Sequence, residues 1–183
     1  METNQPEGKS FGGIDPGKDG GLAVIRPDGS VEFYGVPLAT VELSTKTKLG
    51  NKKTRRVYLP AEMLRLVRDA RLDHVTIEKV QPMPPIRGSF RQTGTVSAFS
   101  TGEGWGMWQM LLAALEVSHQ VVHASHWKAE LMRGLPKTKE AVIPFAQQLY
   151  PRAAGDLRGP KGALLIDRAD ALLLAHFGKL GLR

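Results

Sequence analysis

Four acidic residues in three separate segments could together bind a metal ion. Asp15 lies in Gly-Ile-Asp-Pro-Gly, and Glu78 ends the run Val-Thr-Ile-Glu. Both follow apolar, β-branched stretches that predict strands. Asp167 and Asp170 lie three residues apart in an apolar run that predicts a helix, so they share one helical face. Carboxylates from two strand ends and one helix form a set of hard oxygen ligands, which Mg²⁺ and Mn²⁺ prefer.

Each acid also has a purely structural explanation. Asp-Pro-Gly is a common turn in which the Asp15 side chain could hydrogen-bond turn amides. Glu78 could be an ordinary charged strand end, and Asp167 a solvated helix residue. Asp170 is harder to explain in this way, because alanines and leucines flank it and a buried carboxylate needs a partner or a metal. Taken together, the four acids favour a metal site.

The overall charge suggests a polyanionic substrate. The chain has 183 residues, with 25 Lys and Arg against 18 Asp and Glu, which gives a net charge of +7. An enzyme that uses a metal ion and acts on a polyanion needs acidic residues to bind the metal and an excess of basic residues to attract the substrate. The chain has no cysteine, which excludes disulfides and thiolate zinc sites. No stretch approaches the roughly 18 apolar residues of a membrane span, and the polar N-terminus does not resemble a signal peptide. We therefore expect a cytoplasmic protein without membrane contact.

The order of predicted elements indicates a single α/β domain over residues 1–183, with residues 1–9 as a flexible tail. Residues 40–56 are interpreted as a polar connection and residues 80–95 as a proline-rich loop. The predicted strands are 10–15, 22–26, 31–36, 74–78 and 120–124. The predicted helices are 60–70, a helix from 97 or 104 to 117, 137–150 and 163–180.

These motifs, in this order, resemble the RuvC-type Holliday junction resolvases of the RNase H-like superfamily. Gly13-Ile14-Asp15-Pro16-Gly17 resembles the first-strand motif of that family, and Ile77-Glu78 its second acidic position. Asp167-Arg168-Ala169-Asp170-Ala171 resembles its last-helix Asp-x-x-Asp-Ala motif. Lys128 and Lys139 match two basic residues that approach the scissile phosphate in such enzymes. The resemblance spans about Phe11 to Gly178.

The resemblance implies an RNase H-like mixed five-stranded sheet with helices on both faces. It also implies an endodeoxyribonuclease that resolves four-way DNA junctions by paired symmetric nicks, with two Mg²⁺ or Mn²⁺ ions per active site. Asp15 would bridge both ions, and the other three acids would complete the coordination. Lys128 and Lys139 would neutralise the phosphate in the transition state. No small-molecule cofactor is expected.

The same resemblance implies a homodimer, because two symmetric nicks require two active sites related by two-fold symmetry. The family forms that contact through the helix after the second acid. Here this helix carries Trp105, Met107, Trp108, Met110 and Leu111. The alternative is that both tryptophans are buried within one subunit.

Two basic segments are candidate DNA contacts. The polar connection carries Lys46, Lys48, Lys52, Lys53, Arg55 and Arg56, and the proline-rich loop carries Arg87, Phe90 and Arg91. RuvC-type enzymes commonly place an aromatic residue three positions after the second acid, where this chain has Gln81. Phe90 is the proposed substitute for stacking on a base at the junction, although it could instead anchor the loop to the core.

Several alternatives remain open at the level of sequence. Another RNase H-like nuclease, acting on flaps, branched DNA or RNA–DNA hybrids, would use the same acids. A non-catalytic branched-DNA-binding module would retain the basic segments but not all four acids. An actin-like sugar kinase or ATPase would need a second domain with its own Asp-x-Gly strand, for which this chain is too short.

Overall fold

A computed structural model describes residues 8–46, 49–81, 95–136 and 138–182, with the backbone only at residues 95, 96 and 139. Seven strands and five α-helices form in this part of the chain. The strands are β1 Phe11–Asp15, β2 Gly21–Ile25, β3 Val31–Gly35, β4 Leu38–Lys46, β5 Lys52–Tyr58, β6 His74–Glu78 and β7 Ser118–Val122. The helices are α1 Pro60–Ala70, α2 Thr95–Ala114, α3 Ala124–Leu131, α4 Lys139–Leu149 and α5 Ile166–Lys179, with short 3₁₀ segments at Pro151–Leu157 and Pro160–Gly162.

The main sheet has five strands in the order β3-β2-β1-β6-β7. The first three strands form an antiparallel meander joined by tight turns, whereas β1, β6 and β7 are parallel to one another. Parallel neighbours need a crossover, and α1 and α2 lie in the connections that supply it. The sheet is therefore mixed, as predicted.

Helices cover both faces of this sheet. On one face, Ile14, Leu22 and Ile77 pack in a core with residues of α1 and α2. On the other face, Ala23 and Ile25 pack in a core with residues of α3, α4 and α5. The alternation of side chains along each strand divides the apolar residues between the two cores. The predicted arrangement, a five-stranded mixed sheet with helices on both faces, is confirmed.

Gly13 permits the close approach of α5 to the centre of the sheet. A Cβ atom at this position would collide with the backbone carbonyl oxygen of Ala171 and the backbone nitrogen of Ala175. Only glycine lets the α5 backbone lie directly on β1 here. Because Asp15 is two residues beyond Gly13 on the same face, this packing brings the start of α5 over the end of β1.

Three sequence-based expectations about the elements were wrong. Residues 40–56 were expected to be an irregular connection, but most of them form the antiparallel hairpin β4–β5, with Leu38 opposite Tyr58. Its strands are rich in threonine and valine beside the lysines and arginines, so cross-strand pairing and solvated charges coexist. Helix α3 was not expected, and α2 begins at Thr95 rather than at residue 97 or 104. None of the helices in the described ranges is long and apolar enough to cross a membrane.

Candidate active site

Asp15 and Glu78 end neighbouring parallel strands. Ile14 of β1 lies beside Ile77 of β6, so the residues that follow them are neighbours at the same edge of the sheet. Ile14 and Ile77 pack on the α1–α2 face, and alternation therefore places Asp15 and Glu78 on the α5 face. The carboxyl ends of parallel strands are where open α/β sheets commonly bind their ligands.

Helix α5 adds the other two acids to this edge. Asp167 lies in its first turn, and Asp170 follows one turn later. The charges of Glu78, Asp167 and Asp170 each raise the pKa of Asp15, so the four carboxylates lie near enough to one another to interact. The structure thus brings together the four acids that the sequence placed in separate segments.

Helix α3 supplies two further contacts to the acids. The indole Nε1–H of the fully buried Trp127 donates a hydrogen bond of 2.9 Å to Oε2 of Glu78. The neighbouring Lys128 places its Nζ 3.2 Å from Oδ2 of Asp170 and 4.7 Å from the centroid of the Trp127 ring. Side-chain exposure is 17% for Lys128 and 13% for Asp170, so this ion pair is well shielded from water. Lys128 therefore lies at the acids, while its predicted contact with the scissile phosphate stays a prediction.

Burial and crowding raise the pKa of two of the acids. Burial raises the pKa of Asp15 to about 7, with a further increase from the charges of Glu78, Asp167 and Asp170. A hydrogen bond of 3.2 Å from the Gly17 amide to Oδ1 partly opposes this rise. Burial likewise raises the pKa of Asp170 to about 6, although Lys128 acts in the opposite direction. Asp15 and Asp170 therefore ionise less readily than a solvated aspartate does.

The donor set fits a divalent cation by its chemistry. Oδ1 of Asp170 is buried and has no hydrogen-bond partner within the described ranges, so a cation would satisfy it. Crowded carboxylates of raised pKa gain from a nearby positive charge, and carboxylate oxygens suit Mg²⁺ and Mn²⁺. As positioned, however, no three acidic or histidine side chains of the described ranges converge closely enough to form a ready-made metal cage. The metal-ligand assignment of Asp15, Glu78, Asp167 and Asp170 stays a prediction.

A polar cleft opens beside Asp15. It has a volume of about 710 Å³, and its charged lining residues are the acids Asp15, Asp19 and Asp167 and the cations Lys18, Arg55 and Arg56. Hydrogen bonds and an ion pair join the turn after β1 to the hairpin. Nζ of Lys18 donates a hydrogen bond of 2.6 Å to the carbonyl oxygen of Arg56, and the Arg56 guanidinium lies 2.8 Å from Asp19. The hairpin thus forms one wall of the cleft.

The cations of the hairpin differ in their environment. Lys52 pairs with Glu42 at 2.6 Å, and Arg56 pairs with Asp19. Lys46, Lys53 and Arg55 are exposed, and none of them lies in an ion pair within the described ranges. The hairpin charges available to a polyanion are therefore fewer than the sequence suggested.

Several predicted DNA contacts lie outside the described residues: Lys48, Arg87, Phe90 and Arg91. Lys139 is the first residue of α4, directly after the N-cap Thr138, and its side chain also lies outside the described part of the chain. The proposed roles of these residues stay predictions.

Trp127 is the residue of the site that sequence reasoning missed. Its position beside Lys128 was the only local signal, and a tryptophan in an apolar helix is more often a core residue than a hydrogen-bond donor to an acid. It is both here, because its ring is fully buried while its N–H reaches Glu78.

The outer face of α2 differs from the sequence-based expectation. Trp108 is fully buried within the subunit, and Trp105, Met107 and Leu111 pack against the same core. Of the expected contact residues, Met110 is largely exposed, with 68% exposure, and Phe99, which was not expected there, has 69%. Gly102 and Gly106 lie between them in the chain and face open space.

Comparison with solved structures identifies the fold. The structure of Thermus thermophilus RuvC in complex with Holliday junction substrate matches with a TM-score of 0.53 and 15% identity, covering 94% of this chain and 96% of that chain. A second Thermus thermophilus RuvC structure matches with a TM-score of 0.52 and 20% identity over the same shares. No protein-family model and no curated protein matches the sequence. The chain therefore has the RNase H-like fold of RuvC, as the sequence motifs implied.

Proposed function

We propose that this protein is a metal-dependent endodeoxyribonuclease that resolves four-way DNA junctions. The observation that carries the proposal is the gathering of Asp15, Glu78, Asp167 and Asp170 at one sheet edge, beside Lys128. The fold it shares with RuvC and the cations Lys18 and Arg55 in the cleft beside Asp15 support the same conclusion. A non-catalytic DNA-binding module would not need four crowded acids, because carboxylates are costly to bury.

The residues divide the chemistry between them. Asp15, Glu78, Asp167 and Asp170 would hold Mg²⁺ or Mn²⁺, which when bound acts as a Lewis acid on the phosphate and lowers the pKa of water. Trp127 orients Glu78 through its N–H group, and Lys128 balances the charge of Asp170. Within the cleft, Lys18 and Arg55 are placed to attract the DNA backbone. Lys139 is proposed to approach the same phosphate.

The substrate is tested by direct comparison of DNA structures. A synthetic four-way junction, a linear duplex, a flap and an RNA–DNA hybrid are incubated with the protein and Mg²⁺ or Mn²⁺. We expect paired, symmetric nicks in the junction and much slower cleavage of the duplex. Preferred cleavage of the flap or the hybrid would replace the junction assignment with that of another RNase H-like nuclease.

Substitution of the acids separates chemistry from binding. Asp15→Asn, Glu78→Gln and Asp170→Asn each remove a carboxylate while leaving the cations of the cleft in place. We expect cleavage to fall by at least about 1,000-fold, since electrostatic stabilisation of this kind is commonly the largest catalytic contribution. Junction affinity in EDTA should remain within a few-fold of wild type. Joint loss of binding and cleavage would assign these carboxylates a structural role.

A further inference from the structure

A narrow groove leads away from the acids along the outer strands of the sheet. Asp15 of β1 lies opposite Gly21 of β2, and Gly21 lies opposite Gly35 of β3. Gly21 and Gly35 therefore continue the cross-strand row of residues that begins at Asp15, and neither of them has a side chain. Gly35 lines a groove of about 230 Å³ that also contacts Asp167. Because Asp167 also lines the wide cleft beside Asp15, the groove and the cleft meet at the acids.

Packing does not require glycine at position 35. A Cβ atom there would meet no heavy atom within 4 Å, and the residue does not need a positive φ. At Gly21, in contrast, a Cβ atom would collide with the carbonyl oxygen of Tyr34. A side chain at Gly35 would therefore occupy the groove without disturbing its neighbours.

An aromatic ring and a planar cation form one wall of the groove. Phe33 lies two residues before Gly35 on the same face of β3 and is half-buried. The guanidinium carbon of Arg168 lies 5.7 Å from the centroid of the Phe33 ring. A 3.0 Å hydrogen bond from Arg168 to the carbonyl oxygen of Asp156 fixes this position. Aromatic rings and guanidinium planes are the two kinds of surface on which nucleobases stack.

The size of the groove limits its occupant to one ring system. A cavity of about 150 Å³ is enough to hold a benzene ring, so about 230 Å³ accommodates one nucleobase. The polar end at Asp167 and the aromatic end at Phe33 match the order of a nucleotide, with phosphate at the acids and base further out. A base in an intact duplex is stacked and paired, so only an unpaired nucleotide can enter.

We propose that this groove, which we call the Phe33 groove, binds one unpaired nucleotide next to the cleaved bond. Its base stacks on Phe33 and Arg168, and its phosphate lies at the four acids. The proposal rests on the proposed nuclease function. It gives the site a structural reason to prefer branch points, since a branch point supplies an unpaired or easily unpaired nucleotide beside a phosphodiester.

The test combines variants of the groove with substrates that lack one base. Junction affinity is measured in Ca²⁺, which carboxylate oxygens bind and which offsets their repulsion of the phosphate. Gels run on the same samples show that the junction is intact, and an abasic residue is moved through each position near the branch point. Gly35→Leu fills the groove, Phe33→Leu removes the ring but keeps an apolar side chain, and Arg168→Ala removes the cation. Gly155→Leu is the matched control, because Gly155 also faces open space and lies outside the groove.

We expect Gly35→Leu and Phe33→Leu to weaken binding by about 5- to 100-fold, which is the usual range for the loss of one stacked base. An abasic residue at one position should weaken wild-type binding similarly, and the two losses should not add. Gly155→Leu should bind as wild type, and melting temperatures show whether each variant is folded.

The outcomes distinguish this proposal from the proposed function. The groove assignment is overturned if the affinity losses from the variant and the abasic residue add, or if Gly35→Leu binds with full affinity. If junction cleavage is normal in these cases, the nuclease assignment stays intact. Non-additive losses in a protein that cleaves none of the substrates support an unpaired-nucleotide site in the groove. They overturn the nuclease assignment and, with it, the placement of this site beside a cleaved bond. A variant that is unfolded is replaced by Gly35→Val, for which the same criteria apply.

Discussion

At the residue scale, the acids depend on neighbours that lie far away in the sequence. Glu78 receives its hydrogen bond from Trp127, 49 residues later, and Asp170 pairs with Lys128, 42 residues earlier. A single helix, α3, therefore orients one acid and neutralises another. This arrangement makes α3 part of the proposed active site although it contributes no carboxylate to it.

The hydrogen bond from Trp127 can be tested by removing only its N–H group. Trp127→Phe keeps a buried aromatic ring but leaves Oε2 of Glu78 without its donor. We expect the cleavage rate to fall by about 10- to 100-fold, which is the usual cost of losing a group that orients a metal ligand. Because Glu78 would be held less firmly, the Mg²⁺ concentration for half-maximal activity should also rise.

Trp108→Phe is the matched control for this substitution. Trp108 is equally buried, and its Nε1–H has no hydrogen-bond partner within the described ranges. Its replacement should therefore leave the rate and the Mg²⁺ dependence unchanged. Equal effects of the two substitutions on the rate would show that Trp127 acts through packing alone.

The raised pKa of Asp15 predicts how stability depends on pH. The pKa of an unperturbed aspartate is 3.8, and in the folded protein that of Asp15 is about 7, so the folded state binds more protons between these values. Without metal, the free energy of unfolding should therefore fall as pH rises from about 4 to 7, by on the order of a few kcal/mol.

Urea denaturation in EDTA at pH 5 and pH 8 measures this dependence. Asp15→Asn should be more stable than wild type at pH 8 and should show a smaller difference between the two conditions. Added Mg²⁺ should stabilise wild type at pH 8 more than it stabilises the variant, because bound cation offsets the repulsion. A pH dependence that is the same in wild type and in Asp15→Asn would contradict this account.

At the element scale, contacts among Lys18, Asp19 and Arg56 join the hairpin β4–β5 to the turn after β1. Tyr58, at the end of β5, also donates a hydrogen bond of 3.2 Å to the carbonyl oxygen of Ser100 in α2. Gly104 of α2 allows this approach, since a Cβ atom there would collide with the Tyr58 hydroxyl. The hairpin is thus held between the turn after β1 and α2, which places its cations beside the cleft.

The unpaired cations of the hairpin should set the affinity for DNA rather than the chemistry. Replacing Lys53 and Arg55 with Ala should weaken junction binding and lower the slope of log affinity against log salt by about 0.9 for each phosphate that is no longer neutralised. The cleavage rate at saturating protein should change little. Binding is measured by fluorescence anisotropy over a range of salt concentrations.

The control is the double replacement of Lys52 and Glu42 with Ala, which removes an ion pair and leaves the net charge unchanged. Its salt slope should match that of wild type. If the Lys53 and Arg55 variant keeps the wild-type slope, the hairpin is a solvated surface that does not touch DNA.

At the scale of the whole molecule, the paired nicks expected of a junction resolvase require two copies of the chain. The exposed side of α2 is the proposed contact, because Phe99 and Met110 are apolar and largely exposed there. The helix has 20 residues and therefore spans about 30 Å, and Gly102 and Gly106 leave room for close packing of a second helix. This assigns the dimer contact to residues other than the tryptophans.

Sedimentation at micromolar concentration tests this contact. The wild-type chain should sediment as a dimer, and the double variant Phe99→Glu with Met110→Glu as a monomer that makes single, unpaired nicks. Leu180→Glu serves as the control, since Leu180 is also an exposed apolar residue but lies beyond the end of α5. A wild-type chain that stays monomeric on junction DNA would favour a flap or hybrid nuclease.

The sequence by itself determined the acids, their order and most of the sheet. Asp15, Glu78, Asp167 and Asp170 could be identified because each follows a local pattern of apolar residues that predicts a strand or a helix. The same patterns indicated the α/β fold. Periodicity is a local property, so it predicts which residues share a face of one element.

Only the tertiary structure decided how these elements meet. The bond from Trp127 to Glu78, the fastening of the hairpin to Asp19 and the Phe33 groove all join segments that are distant in the sequence. The sequence could show that residue 13 is glycine, but not that α5 packs its backbone against it. Such contacts depend on the packing of several elements at once, and no pattern within a single segment encodes them.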